Sequence, residues 1–263
     1  MDIASILGVV VALIIVFVVQ ALEGGSAGSI ILLPSMLLVF GGAFCAAMAG
    51  AVFKDAIGVG KLFQKVFLAK VTPPNQLVDE VVKLAERARR EGLLALEDAV
   101  KTVEHPFLRR GLQLAIDGTD PDELHDILHA EIAAKKKADK AGKKFFENMG
   151  GYAPTIGIIG TVMGLVHVLE NLDKPETLGH SIAAAFVATL WGVLSANLIF
   201  LPAAARLDRL SGIEADEMEL VVDGVLAIQA GSNPRLVAQK LRSLLPPDAA
   251  KAAEAAASAK KAA

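Results

Sequence analysis

The chain has one cysteine, Cys45, and it falls inside an apolar run. A lone cysteine can close no intramolecular disulfide and makes a poor metal site. It is expected to be a small buried hydrophobe. Charge is missing from four whole stretches: Ile3–Leu22, Ile30–Phe53, Ala153–Leu169 and Leu178–Ala205 contain no Asp, Glu, Lys or Arg. These segments therefore lack the ionisable residue that usually carries a proton or coupling ion inside a membrane. An ion crossing among them needs an acid supplied by a partner. Period-2 alternation is absent throughout, which excludes a half-buried β-sheet. Catalytic signatures are absent as well: there is no CxxC, no HExxH, no Ser–His–acid pattern and no GxxxxGKS or GxxxxGKT loop. The chain reads as no enzyme, with no cofactor and no metal. The start carries Asp2 and no basic residue, unlike a cleaved signal peptide.

What is present is apolar. Hydrophobic residues are 54% of the 263 and the mean hydropathy is +0.51, too high for an ordinary soluble domain. Each charge-free stretch suits a hydrocarbon core of about 30 Å, which takes roughly 20 helical residues. The expectation is an all-α integral membrane protein with four transmembrane helices. It divides into helices 1–2 over residues 1–53, a helical cytoplasmic insert over 54–148, helices 3–4 over 149–203 and a cytoplasmic C-terminal helix and tail over 204–263. Of the 26 Lys and Arg, seventeen lie in Lys54–Glu147, eight follow from Arg206, and one, Lys174, lies in the late loop. The positive-inside rule then places both termini and the insert in the cytoplasm. The run from Lys135 to Lys144 leads into the third span. A lysine run of this kind can mark anionic lipid or nucleic acid; beside a span it reads as a topology anchor.

The late pair is the most informative region. Met149–Leu172 is apolar yet carries Pro154, Thr155, Gly157, Gly160, Thr161 and Gly164. Such a segment makes a poor soluble helix, whereas in a bilayer small residues permit close helix contact. Gly160 with Gly164, Ala188–Gly192–Ala196, and Gly42–Ala46–Gly50 are small-xxx-small faces, suited to packing within a subunit or between copies. Thr155, Thr161, Thr189, Ser181, Ser195 and Asn197 are the polar groups of the pair, with His167 and Glu170 near its outer end. A threonine in a membrane helix most often bonds back to a carbonyl one turn earlier. Two of them, one on each helix, can also line a small polar path.

The middle segment reads as several helices. Pro73–Pro74 closes the exit from the second span, Asn75 reads as an N-cap, Gly92 ends one helix, and His105–Pro106 and Asp120–Pro121 open two more. The last of these runs on through the lysines into the third span. His125 and His129 are spaced i, i+4 but lie on a solvated face and lack the third and fourth ligands zinc needs. Arg87, Arg89, Arg90, Glu91, Glu97 and Asp98 cluster around one helix–helix turn. They form either a solvated surface or a docking surface that uses both signs of charge.

Three stretches carry a family resemblance: ARREGLLALED (Ala88–Asp98), YAPTIGIIGTVMGL (Tyr152–Leu165) and GHSIAAAFVATLWGVLSANLIFLP (Gly179–Pro202). With the two-plus-two span layout, they resemble the MotA/PomA stator subunits of the bacterial flagellar motor, within the wider group that contains TolQ and ExbB. The resemblance covers the chain except the Ala/Lys-rich tail after about Pro247. It implies a pentameric ring in the bacterial inner membrane around a MotB-like single-span partner, whose aspartate carries the coupling ion. It further implies that the ring turns and pushes on the rotor protein FliG. By motif position, Arg89 or Arg90 and Glu97 would face the rotor, Thr161 and Thr189 would line the ion path, and Pro154 and Pro202 would permit bending. Sodium-driven relatives tend to carry threonine both where Thr161 stands and where Ala188 stands; this chain has the first and lacks the second, and because Ala188 leaves fewer oxygen ligands the reading is protons over sodium. The alternatives are a TolQ/ExbB-like energiser of an envelope transport system and a sodium-driven stator.

Overall fold

The computed structural model describes residues 3–69, 74–173 and 175–245. Pro73, Lys174 and the Ala/Lys-rich tail lie outside the described residues. Every regular element among the described residues is a helix, as the absence of period-2 alternation requires. The longer helices are α1 (Ile3–Leu22), α2 (Ala27–Ala49), α3 (Phe53–Leu68), α4 (Pro74–Glu91), α5 (Pro106–Ile116), α6 (Pro121–Glu170), α7 (Pro175–Ser195), α8 (Leu201–Gln229) and α9 (Pro234–Ser243), with two single turns, Leu93–Leu96 and Glu97–Val100, between α4 and α5. The first and last residues of these helices show why they start and stop. Pro74, Pro106, Pro121, Pro175 and Pro234 each sit at a first helical position, where a missing N–H costs nothing. His105 and Asn233 accept backbone N–H groups as side-chain caps. Asn75 lies inside the first turn of α4 and is not its cap, because the helix begins at Pro74, two residues earlier than an Asn75 cap implies.

The chain folds as two compact units. The first is built from the described residues of Met1–Lys70 together with Ala138–Leu210, and the second from those of Val71–Lys137 and Ser211–Ala263. α6 and α8 contribute to both. α6 runs for 50 residues, about 75 Å at 1.5 Å per residue, through the lysine run and past Pro154 without interruption.

Three helices of the described residues are long and apolar enough to cross a membrane: Ala27–Ala49, Pro121–Glu170 and the run Leu178–Gln229. The fourth expected span, α1, carries a shorter apolar helix, Ile6–Leu22. In the first unit the buried core joins Val39, Ala43 and Ala47 of α2 with Phe145, Phe146, Met149 and Ala153 of α6, and with Trp191, Phe200 and Leu207 of the late helices. The segments 54–69 and 138–148 pack here too: Phe63 stacks on Phe146, and Gly142 leaves room for Leu62. Cys45 is exposed and not buried as expected, because it lies on a face of α2 that no neighbouring helix covers.

α2 is not a uniform rod. Its helix lapses at Ile31–Leu32, restarts with Pro34 in the first turn, and widens into a π turn at Leu37–Gly41. A second π turn, Ala196–Phe200, joins α7 to α8 immediately before Pro202. π turns in membrane helices locally release backbone groups that a neighbour must satisfy.

The second unit is a small helical bundle. Leu77, Val78, Val81, Leu84 and Ala85 of α4 recur at helical spacing and bury against Leu108 and Leu112 of α5, Leu124 and Leu128 of α6, Val221 and Val225 of α8, and Leu241 of α9. Gly224 allows Val81 to approach α8: a Cβ there would lie 2.6 Å from the valine side chain.

Candidate functional site

The contact between α6 and α7 is made of backbone. A Cβ on Gly157 would lie 2.8 Å from the Ala188 carbonyl oxygen, and one on Gly192 would lie 2.7 Å from that of Ala153. Gly160 meets Ala188, and Gly164 meets Ala185. The small residues of both helices thus face each other inside one subunit, which resolves one of the two packings the sequence leaves open for them. Gly42 of α2 joins the same cluster against Ile156.

Backbone contact brings Thr161 and Thr189 together. Their Oγ1 atoms are 2.5 Å apart. Thr161 Oγ1 also lies 3.2 Å from the carbonyl oxygens of Gly157 and Ala185, and Thr189 Oγ1 lies 3.2 Å from that of Gly157. The expected bond back to a carbonyl one turn earlier forms at Thr161. Each hydroxyl has one proton and two lone pairs. One proton is consumed between the two oxygens and the other by a carbonyl. The half-buried pair therefore keeps lone pairs but no spare donor. That arrangement favours a cation, or a hydrogen-bond donor such as a protonated water.

The remaining expected residues occupy other places. Ala188 is buried, with its methyl toward Gly160. Pro154 sits on the contact face, its Cα 3.2 Å from where a Gly192 Cβ would be, and it removes the N–H that the Gly150 carbonyl would accept. Pro202 is exposed and stands 13 residues beyond Thr189, about 20 Å along the helix. The two prolines thus bracket the threonine pair without touching it. Thr155 bonds back to Tyr152, Ser195 to Gly192, and Asn197 to Val193, so these three are spent on their own helices. Sequence reasoning missed Trp191, whose Nε1 donates to the Ile30 carbonyl, and the two carbonyls of Gly157 and Ala185.

In the second unit Arg89, Arg90 and Glu97 are exposed around the turn that Gly92 makes at φ +86°, a left-handed conformation that favours glycine. Their neighbours are paired: Arg87 with Glu91 at 3.1 Å, and Lys101 with Asp98 at 2.8 Å. The Lys101 hydrogen bond holds the Asp98 carboxyl below its usual range. No ion pair engages Arg89, Arg90 or Glu97 among the described residues. The His125 and His129 rings lie 4.2 Å apart with their planes tilted by 45°, facing Asp126 and Glu219 respectively. No group of three metal-ligating side chains forms among the described residues.

The MotA/TolQ/ExbB proton channel family profile matches residues 99–220, which include all of α6 and α7 and both threonines. Motility protein A of Borreliella burgdorferi is 35% identical over 94% of this chain and 95% of its own length. The chain belongs to the MotA/TolQ/ExbB proton channel family. Solved members share its fold. The C. jejuni MotAB structure superposes with a TM-score of 0.89 at 30% identity, covering 94% of this chain and 97% of that one. The flagellar MotAB stator complex from Bacillus subtilis gives 0.85 at 34% identity, over 93% and 97%. A proton channel family is a non-enzymatic kind of protein.

Proposed function

We propose that this chain is the ion-conducting stator subunit of a bacterial flagellar motor and that protons are its coupling ion. One observation carries the reading. Thr161 and Thr189 bring two hydroxyls together between two stretches, 153–169 and 178–205, that contain no acid of their own. Such a site needs a carboxylate from outside. A single-span, MotB-like subunit carrying an aspartate would supply it, in keeping with the solved relatives, which are MotAB complexes. The full-length relatives are motility proteins, which favours a motor over an envelope transport system.

In this reading α1 is the fourth span, since its 20 residues reach about 30 Å. The protein sits in the inner membrane with both termini and the second unit in the cytoplasm. Five copies ring the partner. Arg89 or Arg90, with Glu97, meets FliG, because these charges are exposed and uncommitted while the adjacent charges are paired. Pro154 and Pro202 let the late helices flex on either side of the threonines.

The test is swimming and proton conductance in cells expressing Thr161→Val with Thr189→Val. Valine keeps the shape and deletes both hydroxyls, so both readouts should fall steeply while the protein still assembles. Thr161→Ser with Thr189→Ser should retain them. Normal swimming by the double valine variant would sink the reading.

A further inference from the structure

α3 leaves α2 at a bend. α2 is apolar enough to cross a membrane, and Gly50–Val52 joins it to α3. Phe44 of α2 packs on Phe145 at 5.6 Å between ring centroids, and Phe63 of α3 packs on the next residue, Phe146, at 6.3 Å. Along one straight helix, residues 44 and 63 would stand about 28 Å apart. Here both meet adjacent residues of α6, so α3 turns back against α6 and does not run on from α2. Phe145 and Phe146 stand between Lys144 and the charge-free stretch that begins at Ala153, the level at which α6 meets the membrane boundary. The far end of α3 is held nearby: Lys65 pairs with Asp139 at 3.7 Å, and Val66 and Phe67 share a cleft with Gly8 and Ala12 of α1.

One face of α3 is uncovered. Phe53, Ile57 and Leu68 are 69%, 70% and 54% exposed, and positions 53, 57, 64 and 68 share one helical face. Lys54 and Lys61, both exposed, are seven residues apart and stand along one edge of that face. No hydrogen bond or ion pair engages either lysine among the described residues. The one acid of the helix, Asp55, is half-buried on the opposite side. We propose that α3 lies flat on the membrane surface and binds anionic phospholipid there, with Phe53, Ile57 and Leu68 among the upper acyl chains and phosphates on Lys54 and Lys61. That the leaflet is the cytoplasmic one rests on the membrane orientation proposed above; the lipid contact itself does not. Charge selects the occupant. An exposed apolar face bordered by lysines and free of acid suits an anionic head-group layer. A second protein fits less well, because lysine is depleted in protein interfaces. The adjoining span α2 ends just before this helix starts, which puts the face within reach of the bilayer.

The test places a nitroxide on Ile57→Cys in a Cys45→Ser background, in the full-length protein reconstituted in phosphatidylcholine vesicles with and without phosphatidylglycerol. Collision rates with oxygen, which concentrates among acyl chains, and with a water-soluble nickel chelate locate the label. With phosphatidylglycerol present, the label should be open to oxygen and shielded from the chelate. Leaving out phosphatidylglycerol should raise its exposure to the chelate about fivefold or more. Lys54→Gln with Lys61→Gln should do the same in the mixed vesicles, whereas Lys54→Arg with Lys61→Arg should keep the label shielded. The change of lipid needs no lysine substitution, so it carries the test if the glutamine variant fails to assemble. A label open to the chelate in every lipid would show a solvated face. One shielded from both probes would show a protein neighbour, such as a second copy of the chain. Equal shielding without phosphatidylglycerol would show that charge plays no part. Each of these three results overturns the proposal. Neither swimming nor ion flux is read, so failure here and failure of the motor reading stay separable.

Discussion

Trp191 Nε1 donates a hydrogen bond to the carbonyl oxygen of Ile30 at 2.5 Å, and Ile30 is the residue four positions before Pro34. In an unbroken helix that carbonyl would accept from residue 34, but proline has no N–H to give. An indole from α7 therefore completes a backbone bond that α2 cannot make for itself. The indole is buried and packs beside Phe40 at 6.0 Å between ring centroids. Trp191→Phe keeps an aromatic ring and removes the donor. It should destabilise the protein by about 1–3 kcal/mol, the cost of a buried acceptor left unpaired. Adding Pro34→Ala restores an N–H near Ile30 and should recover part of that loss. Thermal unfolding of the two single variants and the double variant measures the coupling; additive losses would show that the indole bond and the proline are unrelated.

A second prediction concerns glycines that differ only in surroundings. At Gly192 a methyl would collide with the Ala153 carbonyl and the Gly157 and Pro154 Cα atoms, all of them backbone. Backbone cannot swing aside, so Gly192→Ala should push α6 and α7 apart at a cost of about 1–3 kcal/mol and separate the threonine hydroxyls. At Gly212, inside α8, nothing lies within 4 Å, and Gly212→Ala should stabilise by about 1 kcal/mol through helix propensity. Unfolding midpoints that move in opposite directions are the expected result. Equal shifts would mean that propensity, and not the close approach, governs both sites.

These cases mark how far the sequence could be read. The helices were legible because apolar residues such as Leu77, Val81, Leu84 and Ala88 recur at helical spacing, and because proline and Asp–Pro signals mark their starts. The meeting of Thr161 with Thr189 followed from small residues on both helices, which permit only a short separation. The lapse at Ile31, the two π turns and the Trp191 bond were not legible, since each depends on which neighbour stands beside the helix. The same limit applies to Cys45: an apolar run predicts burial in something, but not whether protein or membrane covers a given face. At the turn of Gly92, composition showed six charges of both signs. Only geometry sorted Arg87 and Asp98, which are paired, from Arg89, Arg90 and Glu97, which are not.

Acid should act on the second unit in two opposite ways. Glu80, Glu104, His105 and Glu217 share a cleft of about 330 Å³. Burial pushes the His105 imidazole below its usual value of 6.5, and its Nδ1 accepts the Leu108 N–H at the start of α5. The folded state thus holds neutral histidine, and its contribution is present above pH 6.5 and lost as the pH falls from there through the depressed folded value, because the unfolded chain takes up the proton first. Burial, then the neighbouring Glu104, raises Glu80 above 4.5; burial, then Glu214, raises Glu217. A raised carboxyl contributes stability below its unfolded value, and that contribution is lost as the pH rises through the folded one. His105→Asn keeps a capping oxygen that does not titrate. Hydrogen exchange of the α5 amides, corrected for intrinsic rate, should lose protection as the pH falls below 6.5 in the parent protein and stay flat in the variant. Identical profiles would show that the cap does not titrate with His105.

The coupling ion can be argued from the count of oxygens. Around Thr161 and Thr189 stand two hydroxyls and the carbonyls of Gly157 and Ala185, and the hydroxyl protons already occupy part of this set. A dehydrated sodium ion needs several oxygens to replace its water shell. Position 188, beside Thr189, contributes only a methyl, buried against Gly160. A proton needs one acceptor at a time and a carboxylate to receive it, so the same set suffices if a partner provides the acid. Swimming speed at fixed proton-motive force should therefore be unchanged when external sodium is replaced by potassium, and should fall when a protonophore collapses the proton gradient. A speed that tracks sodium would reverse the assignment. It would mean that the partner's carboxylate and bound water supply the oxygens that Ala188 does not.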